Sequence, residues 1–331
     1  MKRRKFIQTT AAISSGVTLG AFSNCKGGNT KQTTGKSRVV VGRSPGVVND
    51  KLKIDNAKVP KLLDAAMKHY FQQDSVEACW QVLFSPQDVV GIKVNCLAGR
   101  GLSTNPVVVD AIIAGLKLAG VKEKNIIVWD RLNNDLRRGG YKIQTRNSGV
   151  RYFGNDSAGY SADLVCYGQV GSLVSKVVTE YCSALINVPI LKDHGIVGVS
   201  VAMKNYFGAI HNPNKYHDNI GDPYVADVNM FPDIRRKTRL TICDALVAQY
   251  EGGPPYMPHW AWPFGGIIIG QDMVAIDQVG WDIIEAERKK HSLPTLEKAG
   301  RKPTYIATAA SAEYSLGTND PAKIDLLQFE I

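Results

Sequence analysis

The chain has 331 residues and a composition of 44% hydrophobic and 21% charged residues, which excludes a disordered protein and allows one large or two smaller domains. The formal net charge is +10, and Lys2, Arg3, Arg4 and Lys5 supply four of those positives. The body is therefore mildly basic, which reads first as a solubilising surface charge and is also compatible with small anionic partners or an anionic membrane surface. No zinc-finger spacing and no aromatic–glycine RNA signature is present, so no nucleic-acid partner is expected.

The N-terminal run Arg3-Arg4-Lys5-Phe6-Ile7-Gln8 follows the twin-arginine export pattern. Thr9–Phe22 is apolar but diluted by Thr, Ser and Gly, and is too short for a membrane span of about 20 residues. Residues 1–24 are read as a signal peptide, so the protein is expected to be exported, to the periplasm or to a membrane surface. Cys25 follows the apolar run at the place of a lipidation box, although Asn24 is an unusual residue before a cleavage point. Residues 25–37, rich in Lys, Gly and Thr, read as a flexible tether. Residues 38–331 remain as the folded domain.

In chain order, Val39–Gly42 reads as a strand. Pro60–Gln72 reads as an amphipathic helix, with Leu62, Leu63, Ala66, Met67, Tyr70 and Phe71 on one face. Val89–Asn95 is a strand, and Asn105-Pro106 opens a helix that runs to Ala119 and stops at Gly120. Ile126–Trp129 is the next strand, so strand, helix and strand form a parallel crossover unit. Asn133–Ser161 has no clean period and reads as an inserted loop or small lobe. Ala184–Val188, Leu240–Cys243, Gly266–Gly270, Thr304–Thr308 and Ile324–Phe329 read as strands, and Gly198–Phe207 and Met273–Lys289 as helices. The alternation predicts a three-layer α/β fold with a mostly parallel sheet flanked by helices.

Ligands in such sheets bind beyond the carboxyl ends of the strands. Several expected strands end in polar groups: Lys93 and Asn95, Asp130 and Arg131, Lys192, Asp193 and His194, and Asp244. The densest stretch runs from Lys192 to His217 and holds three imidazoles, His194, His211 and His217, beside the ammoniums of Lys192, Lys204 and Lys215. A buried lysine can act as a base or amine nucleophile, and a histidine as acid, base or metal ligand. The histidines lack the short spacing of a helical zinc motif, and no phosphate-loop or dinucleotide glycine pattern occurs. Outside Cys25, the cysteines Cys79, Cys96, Cys166, Cys182 and Cys243 form no Cys-x-x-Cys, which argues against an iron–sulfur cluster and leaves the cofactor unidentified. Glu251, in a glycine–proline turn, is either a held carboxylate or a turn stabiliser. The aromatic loop Tyr256–Phe264 is a lid over a ligand, a docking surface or simple packing.

These residues resemble the bacterial and archaeal domain-of-unknown-function family 362. The landmarks are Asp88-Val89-Val90-Gly91-Ile92-Lys93-Val94-Asn95, Ser103-Thr104-Asn105-Pro106, Asp130-Arg131, Lys192-Asp193-His194, Ala202-Met203-Lys204-Asn205-Tyr206-Phe207-Gly208, His217, Asp244-Ala245-Leu246 and Asp272–Asp277. Many members of that family carry ferredoxin-type cysteine motifs, which this chain lacks. The Lys192-x-His194 block followed by a lysine is also similar, over this segment only, to the nickel-dependent lactate racemase, whose His and Lys residues bind a nickel pincer cofactor and move a proton. The residues point to an enzyme doing proton-transfer or redox chemistry on a small anionic molecule. Lys192, His194 and Lys204 are its catalytic candidates, and Lys93, Asn95, Asp130, Asn205 and His217 its substrate-binding candidates. A lipid-tethered protein binding a small molecule or a metal through the same pocket, without chemistry, is the other reading.

Overall fold

The computed structural model describes residues 35–331; the twin-arginine stretch, Cys25 and most of the tether lie outside the described residues. Thirteen strands follow in chain order: β1 (Ser37–Arg43), β2 (Val90–Lys93), β3 (Ile126–Asp130), β4 (Arg151–Gly154), β5 (Val165–Tyr167), β6 (Val170–Ser172), β7 (Ala184–Asn187), β8 (Ile190–His194), β9 (Gly198–Ser200), β10 (Thr238–Gln249), β11 (Ala261–Trp262), β12 (Gly266–Gly270) and β13 (Ile324–Glu330). Eleven of them form one sheet, whose main path is β13-β1-β12-β10-β7-β2-β3-β4. Only the two pairings of β12, with β1 and β10, are antiparallel along that path. Strands β5 and β6 make a separate hairpin.

Alternation along each strand divides its side chains between two cores. Val40, Val128, Ile186 and Ile242 join a cluster under the helices α1 (Val59–Phe71), α2 (Val76–Gln81) and α3 (Pro106–Leu118). Val41, Trp129, Leu185 and Cys243 face the opposite cluster. That second core also takes in residues of α6 (Ala202–Asn205), α7 (Tyr224–Asn229), α8 (Pro232–Lys237), α9 (Met273–Lys290) and α10 (Tyr305–Ala310). Helix, sheet and helix thus make the three-layer α/β fold.

Local chemistry fixes the helix starts. The Asn105 side chain accepts from the Val107 amide with Pro106 at the first turn, and Asp272 accepts from the amides of Val274 and Ala275 to open α9. Arg288, Lys289 and Lys290 sit in the last turn of α9, where the carbonyl end of a helix favours cations.

Several elements differ from the sequence expectation. Strand β10 continues to Gln249, past the expected end at Cys243, and Lys192, Asp193 and His194 lie within a separate strand, β8, and not at the end of the Ala184–Asn187 strand. Gly198–Phe207 is not one helix: Val197, Val199 and Val201 are buried β-branched residues, β9 pairs with β8, and the helical turns of α6 begin only at Ala202. Thr304–Thr308 falls in helix α10, because Tyr305, Ile306 and Ala309 share a helical face against the core. Within 133–161 lie the short helices α4 (Asn133–Arg138) and α5 (Asn155–Ala158), with β4 between them pairing parallel to β3 as an edge of the sheet. Among the described residues no helix is long and apolar enough to cross a membrane.

Candidate functional site

A cavity of about 380 Å³ opens at the carboxyl ends of β2, β3 and β8. The parallel register sets Lys93 at the end of β2 beside Trp129 and Asn187, so the last residues of β2, β3 and β7 arrive at one edge. All eight candidate residues line this cavity: Lys192, His194, Lys204, Lys93, Asn95, Asp130, Asn205 and His217. His211 and Lys215 do not. The His211 ring packs edge-on against Tyr160 and Lys215 reaches the Gly171 carbonyl. Asp244 is also elsewhere: its carboxylate accepts from the amides of Asn105 and Leu246 and faces a different cavity beside α3.

Hydrogen bonding separates the eight into a frame and a free set. The Lys93 ammonium spends all three donors on Asp130 Oδ1 (2.7 Å), the Val94 carbonyl (2.7 Å) and Asn205 Oδ1 (3.2 Å). Asp130 Oδ2 accepts from the Cys96 amide, and Asn205 Nδ2 donates to Asn187 Oδ1 and the Lys93 carbonyl. Asn95 Nδ2 donates to Asn205 Oδ1. A buried polar network with this degree of satisfaction is rigid and has little left to offer a ligand. Gly208 leaves room for it: a Cβ there would sit 2.8 Å from Lys93 Nζ and 3.1 Å from Asp130 Oδ1.

The free set is Lys192, Lys204, His194 and His217. Lys192 is 1% exposed, and its only polar contacts are Asn95 Oδ1 at 3.4 Å and the Pro254 carbonyl at 3.3 Å. Burial pushes its ammonium down to about 8, although the nearby carboxylates of Asp193 and Asp130 oppose the shift. Lys204 Nζ lies 3.1 Å from His217 Nε2 and 3.8 Å from the centre of the Phe207 ring. Burial, with the positive charge of Lys192 as the second cause, brings it down to about 7. Neither lysine pairs with a carboxylate among the described residues.

The two histidines are distinct chemically. His217 Nδ1 faces the carbonyls of Pro213 (3.2 Å) and Asn214 (3.3 Å), so it carries the hydrogen and leaves a lone pair on Nε2, toward Lys204. His194 Nδ1 accepts from the amides of Ile196 (3.2 Å) and Val197 (3.4 Å), so Nε2 carries its hydrogen. Burial first, then the charge of Lys204, holds His194 far below the usual imidazole range. With Nδ1 committed to the backbone amides, the neutral ring is a donor through Nε2. The two rings stack with centroids 5.5 Å apart.

Residues outside the candidate set support the site. Asp277 on α9 accepts from the amides of Ala202 (2.5 Å) and Met203 (3.3 Å) and so sets the start of α6, which carries Lys204 and Asn205. Asn187 braces Asn205 and donates to the Ala202 carbonyl. Arg301 joins Asp193 to Glu251, which also pairs with Arg288, and Asp193 accepts from the Gly253 amide. This network holds the turn that presents the Pro254 carbonyl, so Glu251 stabilises that turn. Asp277 and Arg301 are far from the site in sequence; Asp277 closes the Asp272–Asp277 landmark block, whereas only its basic character hinted at a role for Arg301. Trp260 and Trp262 pack around Tyr250, β11 joins β10, and no residue of Tyr256–Phe264 lines the cavity.

Residues 90–282 match the family described as domain of unknown function (DUF362). The chain belongs to that family. The matched region carries all eight cavity residues named above. No curated protein matches the chain. A crystal structure of a Thermotoga maritima protein, a structural-genomics target, is similar with 11% identity and a TM-score of 0.42, over 73% of this chain and 60% of that one. The chain thus spans about 60% of the length of that neighbour. Cys79, Cys96, Cys166, Cys182 and Cys243 are all free thiols, none lines the cavity, and no group of three metal-ligating His, Cys, Asp or Glu side chains occurs among the described residues.

Proposed function

We propose that this DUF362 protein is an enzyme that moves a proton on a small carboxylate held in the Lys192–Lys204 cavity. The observation that carries the reading is a pair of buried lysines without carboxylate partners, one of them in contact with the lone pair of a histidine. An uncompensated buried ammonium costs several kcal/mol. An anionic ligand would offset that cost, and the framed lysine, Lys93, cannot be the group that meets it because Asp130 already does. In this reading Lys192 and the His194 Nε2–H hold the anion, and Lys204 with His217 takes and returns the proton. Oriented groups of this kind contribute about 10²–10⁴-fold in rate. The cavity is at the lower end of the roughly 300–1,000 Å³ range of small-molecule sites.

The test is solvent deuterium incorporation at carbon, followed by proton NMR, for a panel of short hydroxy, oxo and dicarboxylic acids. Wild type exchanges at least one of them, and Lys204→Met slows that exchange by about 10²-fold or more. Tight binding with no exchange by any member would instead support a binding protein without catalysis. The proposal extends to location: the Arg3-Arg4 run directs folded export, and Cys25 is the residue that would tether the mature protein to a membrane. Mass spectrometry of the mature N-terminus tests both, and an unmodified Cys25 ends the tethered version.

A further inference from the structure

We propose that Lys204 is an amine nucleophile that condenses with the carbonyl carbon of a small 2-oxo acid, and that His217 carries the proton for that step. The inference rests on the anionic-substrate reading of the same cavity and names the substrate class. Geometry supports it at each atom. Lys204 Nζ lines the cavity and meets no carboxylate among the described residues, so no counter-charge holds it as a permanent ammonium. Its one polar neighbour, His217 Nε2 at 3.1 Å, is an acceptor because Nδ1 is committed to the carbonyls of Pro213 and Asn214. The Phe207 ring covers a further side of the amine at 3.8 Å. Its π face also favours the ammonium, so the proton must have somewhere to go, and His217 is that place. The depressed basicity of Lys204 adds to this placement.

Lys192 sets the substrate class. It is a second buried ammonium in the same cavity, and its contacts at 3.3 and 3.4 Å leave it able to take a carboxylate. A carbonyl next to a carboxylate presents its carbon to Lys204 while Lys192 holds the charge. The neutral His194 ring is a donor through Nε2 for the carbonyl oxygen. The step balances without oxidant or reductant. The Lys204 ammonium gives a proton to His217 Nε2, and the freed electron pair forms the C–N bond while the carbonyl π pair moves to oxygen. A second proton then leaves the nitrogen through His217. Both protons depart with that oxygen as water when the C–O bond breaks. The protonated imine keeps the single positive charge of the ammonium it replaces.

Reductive trapping tests the proposal on the purified, full-length processed protein. Pyruvate, glyoxylate and 2-oxobutyrate are each added with sodium cyanoborohydride near neutral pH, and the digested chain is mapped by mass spectrometry. The expected result is a modification at Lys204 equal to the oxo acid less one oxygen, ahead of exposed lysines such as Lys215. His217→Asn slows the labelling by about a hundredfold. Lys192→Met, an apolar replacement of similar length, raises the oxo-acid concentration needed by about tenfold or more. Label confined to exposed lysines with all three oxo acids, while Lys204 stays unmodified, overturns the imine. Deuterium exchange without a trapped adduct also overturns it and leaves the acid–base reading standing. An adduct without exchange supports the imine and removes the exchange chemistry.

Discussion

Replacing Lys204 by Met tests whether this amine is held at a cost to the fold. A lysine has an ordinary value near 10.5, and burial brings Lys204 to about 7. The folded value lies below the unfolded one, so between these two pH values the unfolded chain binds the extra proton. Stability therefore rises with pH across that window, and below about pH 7 the fold bears the full penalty of the buried charge. Integrated from pH 6 to pH 9, the gain is about 2–3 kcal/mol for this one group. Other groups titrate in the same range. Lys192 gains stability with rising pH in the same way, whereas Asp277, pushed up to about 8 by burial, loses it. Both are present in wild type and variant alike, so the difference between the two proteins reports Lys204 together with the histidines its charge acts on, His217 and His194. The assay is urea unfolding of wild type and Lys204→Met at pH 6 and pH 9. Wild type should gain about 2–3 kcal/mol more than the variant over that interval. The variant should be the more stable protein at pH 6, with loss of the contact with His217, about 1 kcal/mol, offsetting only part of the gain. Parallel pH dependence in the two proteins, to within about 0.5 kcal/mol, would refute the argument that Lys204 is buried without a partner.

Three further substitutions probe the frame. Gly208→Ala places a methyl group against the Lys93–Asp130 pair, and thermal unfolding should show a loss of about 1–3 kcal/mol from overpacking. Asp277→Ala orphans the buried amides of Ala202 and Met203, at about 1–3 kcal/mol each, and hydrogen exchange at the start of α6 should accelerate. Arg301→Met leaves Asp193 buried beside a lost cation, and denaturant unfolding at neutral pH should show a loss of about 3–5 kcal/mol.

Much of this protein is set by local sequence. The apolar strands, the Asn105-Pro106 and Asp272 helix starts and the amphipathic α1 face follow from short-range periodicity and capping, so most of their limits agree with the structure within a residue or two, whereas β10 runs on to Gln249, well past the expected end at Cys243. The cavity was legible for a related reason: in a parallel sheet the strand ends must meet at one edge, so polar residues at the ends of β2, β3 and β8 are brought together by topology. Two kinds of fact were decided only by the tertiary structure. One is the neighbourhood that overrides propensity, as where β8 recruits Gly198–Ser200 into a strand and the core turns Tyr305–Ala310 into a helix. The other is which polar group is already satisfied. Lys93, Lys192 and Lys204 are the same residue type in sequence, but Asp130, 37 positions away, occupies the first and no carboxylate meets the other two among the described residues. Charge and hydrogen-bond partners come from contacts between distant segments, and those contacts divide the frame of this site from the groups left free to act.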